Sequence, residues 1–341
     1  MAVTVKEIAR LAGVSRGTVD RALYNRGRVK PEVAERIRRI AKDQGYEPNR
    51  IGRALALTKK PIKIGVIVQS AQTSFIRMLI EGTQKAAEEV GNLGAEVLLR
   101  EIDTMDAQRQ IEMVDELVEA GIKGLALLPV DDNLLRRRLN DLISQGIPVV
   151  TFNADISGTK RLCFIGQDDR RSSHTAAGLM QVLLGGRGKV LVMTGHLSNL
   201  SHSRRAAYFM EELGRIAPDI RFLDLALTQD DDAVAHQAVL DAVAQHPDLA
   251  GIFIASNGQS GVCQALRELH LAGQVKVVCY DNTPENRENL REGALDFLLD
   301  QNSFEQGYQP VMTLFQYLFT GKKPLEEYFF TDVIIKTRYN I

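Results

Sequence analysis

The sequence predicts a small all-α module at the N-terminus and, after it, an α/β body of parallel, doubly wound sheets in two lobes. From residue 62 onward, short apolar runs alternate with amphipathic helical stretches such as 75–90, which is typical of parallel sheets built from βαβ units. About ten such runs are present, more than one lobe of this kind usually holds. Within the first 46 residues, by contrast, helical spacing indicates three short helices.

Local signals place the three N-terminal helices. Thr4 and Glu7 form a capping box, which predicts that the first helix begins at residue 5. Gly13 is expected to end it, and Ser15 to cap a second helix that runs to about residue 23. Pro31 suits the first position of a third helix, because its missing N–H is not needed there. We expect that helix to extend as far as residue 45.

The apolar runs of the body are predicted to be strands. In chain order they are IKIGVIV, AEVLLREI, GLALLPV, IPVVTF, GKVLVM, IRFLDLAL, LAGIFIA, VKVVCY and LDFLLD. No repeat of short period and no low-complexity tract interrupts them.

Charge is divided unevenly along the chain of 341 residues, whose formal net charge is −1. Residues 1–60 hold 15 Lys and Arg against 6 Asp and Glu, a net charge of +9, so the remainder carries −10. A basic module on an acidic body is expected of a protein that contacts a polyanion at one end only.

Other features of the composition restrict the class of protein. No run approaches the roughly 18 apolar residues of a membrane span, and Glu7 breaks the N-terminal apolar run too early for a secretory signal. Cys163, Cys263 and Cys279 each lie in an apolar run, which predicts buried, reduced thiols rather than disulfides or metal ligands. Together these features predict a cytoplasmic protein with no membrane partner.

The most specific motif is IARLAGVSRGTVDRAL, residues 8–23, followed by NRGRVKPEVAERI and by GYEPN at 45–49. This composite resembles the helix-turn-helix headpiece of the lactose-repressor (LacI/GalR) family over about 50 residues. The resemblance implies a transcription regulator, in most relatives a repressor, with a DNA-binding headpiece at residues 1–47.

The second helix of such a motif lies in the major groove and presents its N-terminal side chains to base edges. Arg16 and Gly17 hold these positions, and Arg21 follows one turn later. Because Arg is the best bidentate partner of guanine, we expect both arginines to contact bases or phosphates rather than solvent alone. The remaining candidate DNA contacts of the headpiece, expected to donate to phosphate or to cap helices, are Ser15, Thr18 and Asn25.

Two headpiece positions depart from the family pattern. Asp20 stands where Ser is common, and Gly17 offers no side chain where a base-reading residue often lies. Asp20 follows Arg16 by one turn, so it either orients that guanidinium or accepts a hydrogen bond from cytosine N4. The operator sequence therefore does not follow from the resemblance.

Residues 48–61, PNRIGRALALTKKP, are predicted to be a hinge that folds into a short helix on DNA. The segment lacks the Gly and Ser of a plain linker. Leu55 aligns with the leucine that relatives insert into the minor groove; the alternative is that it packs onto the body. The basic residues Arg50 and Arg53 flank it and favour insertion.

Residues 62–341 resemble type I periplasmic sugar-binding proteins, the fold that this family joins to its headpiece. The resemblance implies an effector-binding and dimerisation domain whose chain crosses between two lobes near residues 168, 302 and 332. One lobe is then expected to comprise about 62–167 with 303–331, and the other about 168–302 with 332–341. The ligand of such a fold lies in the cleft at the carboxyl ends of the strands.

The resemblance also implies effector contacts. Arg205, in SRRAAYF, matches an arginine that contacts the effector in relatives. Asn257, Asp281 and Gln301 follow predicted strands and match polar residues that bind sugars in the same families.

Further candidates lie at other strand ends and at one helix start. Asn153 stands where relatives often place Asp, and Phe75 where an aromatic ring often stacks on a sugar. Asp155, Gln167 and Asp168 also follow strands, but an Asp or Asn there is as often a turn or a helix cap. Carboxylates, amides and an arginine around an aromatic ring suit a hydroxyl-rich effector, a sugar or polyol; a purine or nucleoside is the alternative.

Two other classes of protein fit the sequence less well. The sequence has no clear motif of an enzyme: GGRGK at 185–189 is not followed by the Ser or Thr of a phosphate-binding loop, and His196 and His202 lack the spacing of a zinc site. We therefore expect no cofactor and no metal. An exported solute receptor would carry a signal peptide and no basic headpiece.

The expected mechanism follows from the family resemblance. Two chains pair through their sensor lobes and present two headpieces to a pseudo-palindromic, double-stranded operator. The sequence has no C-terminal leucine heptad, which favours a homodimer over a tetramer. Effector binding changes operator affinity only to the extent that it differs between two conformations. Induction and corepression both remain open.

Overall fold

The computed structural model describes residues 5–23, 29–44, 61–197 and 199–341. Its N-terminal part contains the three predicted helices: α1 (Val5–Ala12), α2 (Arg16–Leu23) and α3 (Pro31–Asp43). Pro31 starts α3 as predicted, and the helix ends two residues before the predicted limit. Ile8, Val19 and Ile37, one from each helix, are fully buried against one another and form the centre of a small core.

The body alternates strands and helices throughout. Its first half contains β1 (Ile62–Gln69), α4 (Ser74–Gly91), β2 (Ala95–Ile102), α5 (Ala107–Glu119), β3 (Gly124–Leu127), α6 (Asn133–Ser144), β4 (Val149–Phe152), β5 (Cys163–Gly166) and α7 (Asp169–Leu184). Its second half contains β6 (Arg187–Thr194), α8 (Leu200–Ile216), β7 (Asp219–Phe222), β8 (Ala226–Leu227), α9 (Asp232–Gln245), β9 (Leu249–Ile254), α10 (Gln259–Glu268), β10 (Lys276–Tyr280), α11 (Pro284–Arg291), β11 (Phe297–Asp300), α12 (Ser303–Thr320), β12 (Tyr328–Phe330) and β13 (Ile334–Lys336).

These strands form two separate sheets. The first has the order β12-β5-β4-β3-β1-β2, with all pairs parallel. The second has the order β13-β11-β10-β9-β6-β7, with β8 also paired to β6 and only β13 antiparallel. We call the first sheet with α4, α5, α6 and α12 the N lobe, and the second with α7 to α11 the C lobe. The predicted two-lobed α/β fold with a helical N-terminal module is confirmed.

The chain passes between the two sheets at three places, residues 167–168, 301–302 and 331–333. Thr331 holds these crossovers together: its N–H donates to the Gly166 carbonyl (2.8 Å) and its hydroxyl to the Gln301 carbonyl (2.9 Å). The side-chain amide of the buried Gln306 donates to the same Gln301 carbonyl at 2.8 Å. The three crossovers are therefore linked to one another by hydrogen bonds.

The sequence analysis missed part of the sheet pattern. The run IRFLDLAL, predicted as one strand, contains two short strands, β7 and β8, which both pair with β6. The strands β12 and β13, with the sequences YFF and IIK, were not predicted; they are only three residues long and partly exposed.

Helices begin with side-chain caps because a backbone N–H at a helix start needs an acceptor. Asp106, Asp132, Asp168 and Asp231 each accept hydrogen bonds from two backbone N–H groups at the start of α5, α6, α7 and α9. Asp168 is thus a helix cap, one of the two roles that its position predicted.

The N lobe is held by a close crossing of α4 and α12. A Cβ atom at Gly82 would lie 2.0 Å from the backbone oxygen of Phe304, and one at Gly307 would lie 1.8 Å from that of Leu79. Only glycine at both positions allows this approach. The hydroxyl of Thr83 completes the contact by donating to the Gly307 carbonyl at 3.1 Å.

Candidate functional site

The headpiece exposes the face of α2 that was predicted to contact DNA. Arg16, Gly17 and Arg21 are exposed. The Ser15 hydroxyl accepts a hydrogen bond from the Thr18 backbone N–H (3.2 Å) and lies 2.9 Å from the Thr18 hydroxyl, so these two side chains cap the helix. The predicted contacts Asn25, Arg50, Arg53 and Leu55, and the side chain of Asp20, lie outside the described residues.

The body contains a cleft of about 1000 Å³ at the carboxyl ends of the strands, lined by residues of both lobes. The N lobe contributes the predicted residues Phe75, Asn153 and Asp155, and the C lobe contributes Arg205, Asn257 and Asp281. The two sets were predicted from separate stretches of sequence, and the fold brings them to one cavity. The cleft is therefore the candidate effector site.

Arg205 is the central cation of the C-lobe wall. It lies on α8, is only 4% exposed, and its guanidinium stacks over the Tyr280 ring with its carbon 4.2 Å from the ring centre. Its Nε donates to Asp169 (2.9 Å) and an Nη donates to the Gln301 side-chain oxygen (2.6 Å). Burial opposes its charge, but Asp169, Tyr280 and Asp281 together outweigh this effect, so the pKa of Arg205 is raised.

Gln301 is behind the cleft wall and not among the residues that line it. Its side-chain NH₂ donates to the Asp281 carboxylate at 2.5 Å while its oxygen accepts from Arg205, so it fixes both groups. Since its carbonyl accepts from Thr331 and Gln306, Gln301 also connects the cleft to the crossovers.

Asp281 is the buried carboxylate of the site. It is 7% exposed, and this burial raises its pKa to about 6, although Arg205 and the hydrogen bond from Gln301 favour the charged form. A desolvated carboxylate of this kind accepts hydrogen bonds strongly from ligand hydroxyls, because water does not compete for it.

The N-lobe residues are differently engaged. The Asn153 amide donates to Gln306 at 3.0 Å. The Asp155 carboxylate accepts two hydrogen bonds from Arg161, both at 2.6 Å, and one from the Thr151 hydroxyl. Asp155 lines the cleft, but its charge is already neutralised within the N lobe.

Backbone strain concentrates at the cleft. Five non-glycine residues that line it have left-handed φ angles between 52° and 76°; they are Ser70, Asn153, Gln229, Asp230 and Asp281. Such conformations cost free energy and persist where the surrounding structure fixes them, commonly at functional sites. Asn and Asp tolerate this conformation best among residues with a side chain, so only Asn153, Asp230 and Asp281 carry a weak signal for it in the sequence.

Several cleft residues were not predicted as effector contacts. Among them are Asp169, which accepts a hydrogen bond from Arg205, and Tyr208, whose ring lies under the Arg170 guanidinium. His202 and Asp230 also line the cleft. His202 precedes Arg205 by three residues, so helical spacing alone could have placed it on the same face of α8. Gln167, for which a site role and a turn were both open, is 5% exposed, and its two amide atoms have no partner among the described residues.

The rest of the described chain offers few other sites. The three cysteines are buried and free, as predicted, and burial raises the pKa of Cys163 to about 12. In residues 5–23, 29–44, 61–197 and 199–341, no group of three His, Cys, Asp or Glu side chains is placed to hold a metal ion. None of the helices in these ranges is long and apolar enough to span a membrane.

Comparison with known proteins agrees with this division of the chain. Residues 64–323 match the family model of the periplasmic binding protein domain, and residues 4–49 match that of the bacterial regulatory proteins of the lacI family. The chain belongs to the lacI family of bacterial regulatory proteins. This lacI-family protein is therefore a DNA-binding transcriptional regulator with a ligand-binding body, as its sequence predicted.

Individual relatives of this lacI-family regulator include both regulators and solute-binding proteins. It is 21% identical over 290 residues to catabolite control protein A of Priestia megaterium, covering 83% of each chain. It is 23% identical over 289 residues to a D-ribose/D-allose-binding protein of Pseudomonas aeruginosa, covering 83% of this chain and 89% of the other. A solved arabinose-binding protein from Geobacillus stearothermophilus superposes with a TM-score of 0.71 at 25% identity, over 82% of this chain and 98% of that chain.

Proposed function

We propose that this regulator is a repressor whose affinity for its operator is controlled by a sugar or polyol bound in the cleft. The observation that carries the proposal is the buried set of Arg205, Asp281 and Gln301, in which one guanidinium and one carboxylate are fixed by hydrogen bonds at the cleft wall. A fixed donor beside a fixed acceptor matches neighbouring hydroxyl groups, each of which both donates and accepts. The sugars named for the Pseudomonas and Geobacillus relatives support this class of ligand.

The effector contacts in this proposal are Arg205, Asn257 and Asp281 of the C lobe and Phe75, Asn153 and Asp155 of the N lobe. Half-buried Phe75 supplies an apolar face, since the sequence contains no Trp. Gln301 acts by holding Arg205 and Asp281 in place rather than by touching the ligand. The chain catalyses no reaction in this proposal.

The proposed architecture has a headpiece at 1–47, a hinge at 48–61 and an effector domain at 62–341. Two chains form a homodimer and bind a pseudo-palindromic operator through Arg16 and Arg21, with Leu55 inserted in the minor groove between Arg50 and Arg53. Closure of the cleft moves the lobes relative to one another about the three linked crossovers. That movement changes the spacing of the hinges and hence the operator affinity.

The test has two stages. First, an operator is selected from random duplex DNA with the purified protein, and its dissociation constant is measured at several salt concentrations; affinity must fall steeply as salt rises. Second, neutral sugars are screened by thermal shift, where a ligand at 100 times its Kd adds about 2.7 kcal/mol of stability. The sugar that binds is then added to the operator assay, where a change of about 5–150-fold in affinity is expected. A sugar that binds but leaves operator affinity unchanged would contradict the proposed control.

A further inference from the structure

Two unpredicted side chains, His202 and Asp230, face each other in the C-lobe wall of the cleft. His202 lies on α8 one turn before Arg205, and Asp230 lies between β8 and α9. The His202 Nδ1 is 3.7 Å from the Asp230 carboxylate, and both side chains line the cavity. Neither side chain caps the adjoining helix: α8 is capped by Asn199 and α9 by Asp231.

The protonation of His202 follows from its surroundings. Burial lowers its pKa to about 4, against the opposite influence of Asp230, so the ring is neutral. The Asn199 side-chain oxygen accepts from the His202 backbone N–H, which leaves the Asn199 NH₂ to donate to His202 Nε2 at 3.3 Å. A neutral ring that accepts at Nε2 carries its proton on Nδ1. That N–H faces the Asp230 carboxylate at 3.7 Å, beyond hydrogen-bond distance, and has no hydrogen-bond partner among the described residues.

Asp230 is held in the cleft by a strained backbone and a glycine. Its φ angle is 60°, in the left-handed region. Its carboxylate lies where a side chain at position 195 would be, since a Cβ at Gly195 would come 2.4 Å from its Oδ1. The Oδ1 accepts from the Asn257 backbone N–H at 3.1 Å. No Lys or Arg side chain of the described ranges forms an ion pair with Asp230, so its charge is available to a ligand.

The C-lobe wall therefore carries an excess of negative charge. Asp169, Asp230 and Asp281 face a single buried cation, Arg205, which is already bonded to Asp169. Asp230 is one of the groups whose negative charge raises the pKa of Asp281, so the two carboxylates act on each other. Two further arginines of this lobe line the cleft, Arg170 and Arg204, but both are exposed, and Arg170 is paired with Glu211. The excess of acidic groups therefore belongs to the less exposed part of the wall.

From this geometry we propose that the His202–Asp230 pair selects the charge of the effector. Asp230, held by the Asn257 N–H and facing His202, accepts a hydrogen bond from a hydroxyl or an ammonium group of the ligand, and it excludes a phosphate or carboxylate. The effector is then a neutral or amino sugar, and not a sugar phosphate or sugar acid. This inference rests on the proposed function, because it assumes that a sugar occupies the cleft.

The experiment measures binding to the full chain by isothermal titration calorimetry in matched series of probes. One series is D-ribose and D-ribose 5-phosphate; a second is D-glucose, D-glucosamine, D-glucuronate and D-glucose 6-phosphate; a third is D-arabinose and D-arabinose 5-phosphate. Within the series that binds, the anionic member is expected to bind at least about 100-fold more weakly than its neutral parent, because like charges oppose one another in a desolvated site.

Variants test whether His202 and Asp230 cause this discrimination against anionic sugars. Asp230→Asn removes the charge, and His202→Gln removes the ring that faces it; both substitutions keep a polar side chain of similar size. We expect each to weaken the neutral sugar about 10-fold, the loss of one charge-assisted hydrogen bond, and Asp230→Asn to reduce the discrimination against the phosphate as well. Asp224→Asn removes the same charge from an exposed position of the same lobe outside the cleft, and both affinities should remain unchanged. Circular dichroism melts establish that each variant is folded.

The possible outcomes distinguish a failure of the charge selection from a failure of the proposed function. A phosphate or uronate that binds as tightly as its neutral parent overturns the charge selection and leaves the proposed sugar sensor standing. Unchanged affinities in folded Asp230→Asn and His202→Gln also overturn it. Failure of every sugar, neutral or charged, contradicts the proposed function itself, and with it the inference.

Discussion

Replacing Asp281 by Asn should change both the stability and the pH dependence of the protein. The pKa of this carboxyl is about 6 in the folded chain, against 3.8 for the ordinary side chain, because burial penalises its charge. A carboxyl whose pKa is raised by folding destabilises the fold increasingly as pH rises from about 4 to 6, since the unfolded chain ionises first. A shift of about 2 units corresponds to about 3 kcal/mol at pH 7.

The substitution removes this cost, so the free energy of unfolding of Asp281→Asn, measured in urea, should exceed that of the wild type at neutral pH. The excess should grow by about 1.4 kcal/mol between pH 5 and pH 7.5, because the carboxyl is already ionised in the unfolded chain throughout this interval, whereas the folded chain releases the proton only near pH 6. The same proton has the opposite consequence for the ligand. A sugar that donates to the ionised carboxylate should bind the wild type more tightly as pH rises toward about 6, with a plateau above.

The reasoning is refuted if the free energies of unfolding of Asp281→Asn and the wild type differ by the same amount from pH 5 to pH 7.5. It is also refuted if this difference shrinks as pH rises. Asp224→Asn serves as the control, because this exposed carboxyl lies outside the cleft. Its difference from the wild type should show no comparable dependence on pH.

Three further substitutions test other parts of the structure. Arg205→Lys keeps the charge beside Asp169 but loses the hydrogen bond to Gln301. Calorimetry should therefore show loss of effector binding, while a gel-shift assay should show unchanged operator affinity. Loss of both would contradict the separation of the effector site from the DNA-binding headpiece. Gly82→Ala should lower the free energy of unfolding in urea by about 1–3 kcal/mol, because its Cβ meets a backbone oxygen. Gly91→Ala, at an open position of the same helix, should be neutral or stabilising by up to about 1 kcal/mol. Equal effects of the two substitutions would contradict the close crossing. Arg16→Ala should weaken operator binding by about 1–3 kcal/mol if this exposed side chain reads a base, and unchanged affinity and salt dependence would exclude any DNA contact.

The sequence was sufficient for features that depend on local signals. The helix starts at Ser15 and Pro31 were predictable because caps and prolines act on the nearest turn. The central strands were predictable because a strand buried on both faces must be apolar throughout, as in the run that includes Val66 to Val68. The strand β12 is also apolar, but its three residues are too few to predict a strand, and its place in the sheet is decided by pairing with β5, more than 160 residues earlier.

Site residues were predictable only where a position in the fold that faces the cleft is held by a side chain suited to bind a ligand. Arg205 and Asp281 were found through a family resemblance and through their places on the fold. Asp168 and Asp230 both line the cleft at the carboxyl ends of the sheets, but the first caps α7 whereas the second faces His202 and caps no helix. The difference depends on the left-handed backbone of Asp230 and the absence of a side chain at Gly195, and both are properties of the folded chain.

The N lobe takes its last helix and one edge strand from the far end of the chain. Val311, Leu314 and Phe315 of α12 complete the apolar core whose first members lie on β1 and α4. During synthesis, therefore, the ribosome must release nearly the whole sensor before this core can close, whereas the three-helix headpiece has all its partners as soon as residue 44 has emerged. A messenger truncated after residue 302 would yield a folded headpiece on a body whose N lobe exposes its apolar centre, a product suited to recognition by chaperones and proteases rather than to occupation of an operator.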